Sequence, residues 1–126
     1  MLTIEPDIDL DLLVEHFTET DDYPKEQSLS EIKYWQTQPD FLAIIVRDVD
    51  VITGFMLACR RLDYLWIHQV WSGTSISVGR EALAVAKTWA KERGMTSVMG
   101  EFRRDRFSAL KRYGFEEYSV VIKCLI

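Results

Sequence analysis

Residues 72–79 read Ser-Gly-Thr-Ser-Ile-Ser-Val-Gly, two glycines and four hydroxyl residues, with Arg80 following. Small residues let a backbone come close to a ligand. The first N–H groups of a helix have no partner within it and lie at the positive end of its dipole. If a helix starts here, its amides and Arg80 can hold an anion such as a phosphate. The same residues serve equally as a polar turn in which Ser75 or Ser77 caps the helix. Elsewhere the chemistry is sparse. Two cysteines, Cys59 and Cys124, and two histidines, His16 and His68, are too far apart for a zinc pattern.

Charge is uneven along the chain. Residues 1–50 carry three Lys/Arg against 13 Asp/Glu, and residues 51–126 carry 12 against seven, within a net charge of −5. The basic half suits an anionic ligand and the acidic half a cationic one, although solvated surface charge accounts for both. No apolar run reaches the roughly 20 residues of a membrane helix. The acidic start MLTIEPDIDLD does not read as a secretory signal. Both cysteines lie in apolar, strand-like sequence, so two buried thiols and a reducing, cytoplasmic compartment are expected.

These residues must be positioned by the surrounding elements. Residues 2–5 suggest a short strand. Leu10, Leu13, Val14 and Phe17 have helical spacing over 8–19. Ser28 and Glu31 have the capping-box form, predicting a helix from 28 to about 37, stopped before Pro39. Three strands follow at 41–48, 51–61 and 64–71, joined by short turns. Alternation along the third puts Tyr64, Trp66, His68 and Val70 on one face and Leu65, Ile67, Gln69 and Trp71 on the other. On that reading Trp66 shares the His68 face and Trp71 does not. Gly79, Ala82, Leu83, Ala86, Trp89 and Ala90 then form a helical stripe, with Gly94 as its C-cap. A strand at 96–102, a basic helix at 105–113 ended by Gly114, and a long strand at 115–126 complete the chain. The order β-α-α-β-β-β-α-β-α-β predicts one α/β domain over 1–126, its mixed, mostly antiparallel sheet covered by helices on both faces.

That order resembles the GNAT superfamily, the acetyl-CoA-dependent N-acyltransferases, across the whole chain, and in motif detail over residues 51–116. ITGFML (52–57) is similar to the family's third strand, and WIHQVW (66–71) to the fourth. GREALAVAKTWAKERG (79–94) is similar to the long helix after the cofactor loop, and ALKRYGFEE (109–117) to the closing aromatic-Gly-Phe segment. The family's pyrophosphate motif, Gln/Arg-x-x-Gly-x-Gly/Ala, falls on Thr74, Ser75, Ile76, Ser77, Val78 and Gly79. Val78 and Gly79 fit it. Thr74 replaces the Gln/Arg and Ser77 the middle glycine.

The resemblance implies acetyl-CoA as co-substrate. Its diphosphate would lie at Thr74, Ser75, Ser77, Val78, Gly79 and Arg80, and its pantetheine arm along Gln69, Val70 and Trp71. It also implies transfer of acetyl to an amine, with a general base and a tyrosine acid for the leaving thiolate. His68 and Glu101 are the candidate bases. The family tyrosine falls on Leu110, so Tyr113, one turn on, is its nearest substitute. The family asparagine after the fifth strand falls on Arg103. Each candidate has a plainer reading: a buried His68 bonded to backbone, a solvent-facing Glu101, a packed Tyr113.

In the family the first two helices and their loop shape the acceptor site. Here that loop carries Glu19, Asp21 and Asp22, so a cationic small-molecule or peptide amine fits by charge. Trp35, Trp66 and Trp71 are candidates to line the pocket, and Trp89 reads as core. The alternative is a non-catalytic GNAT-fold binding or structural module, similar to short phage-encoded acetyltransferase-like proteins, some of them virion components. Nucleic-acid binding through 103–106, Lys111 and Arg112 is the least favoured reading for an acidic chain. The long last strand offers an edge for a homodimer.

Overall fold

Within residues 41–46 every side chain is buried, and parity decides which core receives it. Phe41, Ala43 and Ile45 join Ile8, Leu10, Leu13, Phe17 and Ile32, while Leu42 and Ile44 join Ala82, Ala86 and Ala90. A strand buried on both faces needs cover on both, which is why this run is apolar throughout. The computed structural model describes residues 1–19, 24–73, 75–102, 104–118 and 124–125.

The strands are β1 (Leu2–Ile4), β2 (Phe41–Asp48), β3 (Val51–Arg61), β4 (Tyr64–Ser72) and β5 (Ser97–Gly100). They form one sheet in the order β1-β2-β3-β4-β5, antiparallel through β4, with β5 parallel to β4. The helices are α1 (Lys25–Gln36), α2 (Ile76–Glu92) and the short α3 (Phe107–Lys111). α1 covers one face of the sheet and α2 the other. This is the expected α/β architecture of a mixed, mostly antiparallel sheet between helical layers.

The short β1 is fastened by an ion pair. Arg47 donates two hydrogen bonds to Glu5, at 3.1 and 2.8 Å, and they hold the Glu5 carboxyl below its ordinary range. α2 buries Ala82, Leu83, Ala86 and Ala90, as the stripe predicted. It ends at Gly94, where φ is +79°. The Gly94 and Met95 N–H groups donate to Lys91 and Ala90 carbonyls, a Schellman closure that favours glycine. Gly114 (φ +89°) closes α3 in the same way, with Phe115 N–H donating to Leu110.

Four expectations need correction. Residues 8–19 form two 3₁₀ turns, Leu10–Leu12 and Val14–His16, rather than a helix. Asp9 accepts from the Asp11 N–H at 3.0 Å, a local bond that competes with a regular helical start. Leu10, Leu13 and Phe17 are nonetheless buried. α1 starts three residues before Ser28, which is buried inside the helix and makes no capping box. Pro24 takes the N-cap position with extended dihedrals, and Lys25, Glu26 and Gln27 are good helix formers. No strand forms over 115–118, where Phe115 packs inward against Phe102, and 119–123 and 126 lie outside the described residues. Cys59 is buried as expected, but Cys124 is exposed, and both are free thiols.

Candidate active site

β4 and β5 share four register pairs, from Tyr64↔Ser97 to Ile67↔Gly100. β5 then ends, while β4 runs on through Ser72. The parting coincides with a bulge. Consecutive β3 residues Leu57 and Ala58 pair with Gln69 and Ile67, so His68 is the extra residue on β4. A bulge bends its strand and increases the twist. On the β5 side, the Phe102 ring folds back against Gly100, where an added β-carbon would meet it at 2.6 Å. The strands therefore diverge around a cleft of about 1000 Å³, flanked by β4 residues His68–Ser72.

The bulge also corrects the face assignment. Trp66 pairs with Cys59 and Trp71 with Phe55, both on the α1 face, so the two tryptophans share a face. Strict alternation placed them apart because it did not allow for the extra residue. Val70 packs on the α2 side, and Trp71 packs on the α1 side. The cleft thus has walls on both faces of the sheet.

The first turn of α2 contributes Val78 and Gly79 to the cleft. Ser75 stands at the N-cap with extended dihedrals but caps nothing with its side chain; its hydroxyl pairs with that of Ser77 at 2.9 Å. The first intrahelical bond is Gly79 N–H to the Ser75 carbonyl, so the amides of Ile76, Ser77 and Val78 have no acceptor within the helix. Arg80 turns to α3 and donates to the Arg112 carbonyl at 3.3 Å. Thr74 and Arg103, and Asp21 and Asp22 of the expected acceptor loop, lie outside the described residues.

Of the residues singled out from sequence, His68, Gln69, Val70, Trp71, Val78, Gly79, Glu101 and Tyr113 line this one cleft. Ser75, Ser77 and Arg80 stand beside it. Gln69 is nearly buried, and its side-chain oxygen accepts the Thr18 N–H at 2.9 Å. His68 stacks on Trp35, and its Nε2 lies 2.8 Å from Cys59 Sγ. Burial, with the Arg61 charge adding to it, pushes His68 down to about 4. Burial also pushes the Cys59 thiol up to about 11, so at neutral pH the pair is uncharged. Leu110, at the family tyrosine position, lines the cleft with Tyr113.

Glu15, Thr18, Lys25 and Phe102, given no site role from the sequence, also line the cleft, as do His16, considered there only for a zinc pattern, and Arg106, considered only for nucleic acid. His16 stacks flat on Trp71, with ring centroids 3.8 Å apart and planes 14° apart. No spacing signal marks it, because the 3₁₀ turns carry it to β4 across 55 residues of sequence. Among the described residues, no three His, Cys, Asp or Glu side chains group as a metal site would require. Among the described residues, no helix is long and apolar enough to cross a membrane.

No protein-family model matches the sequence, and no curated protein does. Solved structures do. The apo aminoglycoside 6'-N-acetyltransferase AAC(6')-IG from Acinetobacter haemolyticus superposes with a TM-score of 0.76 at 13% identity, over 100% of this chain and 97% of that one. AAC(6')-Iy in complex with a CoA bisubstrate analogue gives 0.71 at 14% identity, over 100% and 97%. Glucosamine-6-phosphate N-acetyltransferase from Arabidopsis thaliana gives 0.65 at 11% identity, over 99% and 98%. The chain has the GNAT fold.

Proposed function

We propose that the chain is an acetyl-CoA-dependent N-acetyltransferase acting on a small-molecule or peptide amine. The observation that carries this reading is that β5 leaves β4 at Ile67, so that among the described residues no strand pairs with that edge over 68–71, which opens onto the first turn of α2. An extended amide-bearing arm can pair with such an edge as an added strand. A diphosphate at its end then meets the amides of Ile76, Ser77 and Val78. Similar structures crystallised with CoA or a CoA bisubstrate analogue support the ligand class. Those acting on aminoglycosides and glucosamine-6-phosphate support an amine acceptor.

In this reading β4 amides near the bulge orient the thioester carbonyl and stabilise the oxygen as it gains charge. Ser77 supplies a hydroxyl where the family motif uses glycine, Ser75 pairs with it, and Arg80 adds positive charge at the same end. Tyr113, beside Gly79, protonates the departing thiolate in this reading. Glu101 attracts and orients a cationic amine. His68 is neutral and bonded to Cys59, so its part is to shape the bulge rather than to take a proton. The free thiol of Cys59 fits a reducing, cytoplasmic setting.

The test is thermal unfolding with and without acetyl-CoA, joined to thiol release with a panel of amines. A ligand at 100 times its Kd stabilises by about 2.7 kcal/mol, so a rise of several degrees is expected. No rise with either acetyl-CoA or CoA overturns the reading. Two observations favour a second reading, a GNAT-fold binding module: Leu110 at the tyrosine position, and a His68 ring already engaged by Cys59. It predicts a thermal shift without thiol release.

A further inference from the structure

We propose that His16 is the proton acceptor for the amine substrate, with Glu15 stabilising the imidazolium that results. This rests on the acetyltransferase reading and names the base within it. The ring of His16 lies flat on Trp71, on the α1 face of the stretch of β4 that has parted from β5. It is only partly covered and lines the cleft. Its Nε2 stands 3.3 Å from Glu15 Oε1. The stack holds the ring in one plane, and the Glu15 carboxylate stands within pairing distance of its Nε2. His68, by contrast, is half-buried and already bonded to Cys59.

The charged groups around His16 fit this work. Glu15, Glu19 and Lys25 line the cleft from its own side, with Lys25 paired to Glu19 at 3.9 Å. Glu101 and Arg106 line it from the far side. A protonated amine entering between Glu15 and Glu101 meets a carboxylate on each side and the ring of His16. The ammonium gives one proton to His16, leaving a free amine and an imidazolium beside Glu15. The amine lone pair forms the C–N bond at the thioester carbonyl carbon. The C–S bond breaks, its electron pair leaves on sulfur, and the second amine proton ends on that thiolate. No oxidant or further reactant is needed.

The experiment compares the full chain with His16→Phe, which keeps an aromatic ring on Trp71, and with His16→Gly. The probes are acetyl-CoA with spermidine, lysine and sisomicin, read by thiol release from pH 5.5 to 9. Both variants should keep the acetyl-CoA thermal shift and lose roughly 100-fold or more in kcat/KM at pH 7. The loss should shrink toward pH 9, where more of the amine is already free. Added imidazole should restore His16→Gly but not His16→Phe. Unchanged kcat/KM and pH profile in both variants overturn the proposal. So does a loss that imidazole and high pH fail to repair, and so does acetyl-CoA binding without thiol release from any probe. A wild-type chain with no acetyl-CoA shift overturns the underlying acetyltransferase reading instead.

Discussion

The phenol of Tyr113 lies across the α-carbon of Gly79, so close that a β-carbon built there would stand 2.8 Å from both Tyr113 Oη and Cε1. Gly79 occupies the last position of the cofactor motif, where a small residue would ordinarily be read as room for a phosphate. Here the space above it is filled by an aromatic ring from just past α3. The contact joins α3 to the first turn of α2 and puts a hydroxyl at the mouth of the cleft.

Gly79→Ala should therefore have a sign that depends on Tyr113. In a helix, alanine is favoured over glycine by about 1 kcal/mol. Against a rigid ring at this distance the new methyl forces a shift, and overpacking of this kind costs about 1–3 kcal/mol. The variant should unfold at lower denaturant than the wild type. In a Tyr113→Ala background the same change should stabilise by roughly 0.5–1 kcal/mol. A double-mutant cycle by urea unfolding reads both. Additive effects would show that Tyr113 does not rest on Gly79 in solution.

Much of this architecture was legible because its signals are local. Gly94 and Gly114 announce helix ends, since Schellman closure involves only neighbouring residues. The apolar runs at 41–48 and 51–61 announce strands for the same reason. The bulge at His68 was not legible. Alternation along β4 looks regular in the sequence, and the slip arises from pairing with Leu57 and Ala58 on another strand. Ser28 and Glu31 carry a capping signature that Pro24 pre-empts. His16 reaches the cleft through the long-range packing of Leu10, Leu13 and Phe17, which spacing alone does not convey.

His68 makes a pH prediction. Its folded value of about 4 lies below the ordinary 6.5, because burial disfavours the charged ring. Between these values the unfolded chain binds the proton and the folded chain does not, so acid favours unfolding. Stability is fully present above pH 6.5 and falls as pH drops toward 4. The loss should be roughly 2–3 kcal/mol after discounting for partial solvent screening. Glu5 acts in a lower window. Arg47 depresses its value, so its contribution is present above the ordinary 4.5 and fades as pH falls further. Urea titrations in steps from pH 7 to 3 should show His68→Gln flattening the upper window alone.

The β2–β3 turn offers a stabilising change. Val49 has φ of +57° and is exposed. A β-branched residue in the left-handed region is strained, by about 1–2 kcal/mol relative to the right-handed one. Asparagine tolerates that conformation. Val49→Asn should raise the melting temperature by roughly 3–5 °C, about 1 kcal/mol for a chain of this size. A calorimetric scan with no gain would place the turn in another conformation in solution.

Gln69 tests how the segment that carries His16 is held against β4. Its side-chain oxygen accepts the Thr18 N–H at 2.9 Å, linking the segment that carries His16 to the strand beside the bulge. Gln69→Leu keeps most of the volume but leaves that part-buried donor without its acceptor, at a cost of about 1–3 kcal/mol. Gln69→Glu keeps an acceptor at the cost of placing a charge where the native residue is nearly buried. If residues 15–19 form the amine-binding wall, Gln69→Leu should raise KM for the amine severalfold and change KM for acetyl-CoA much less. Steady-state kinetics with each substrate varied in turn separates the two. Equal increases in both would mean that this wall serves the cofactor side of the cleft as much as the acceptor side.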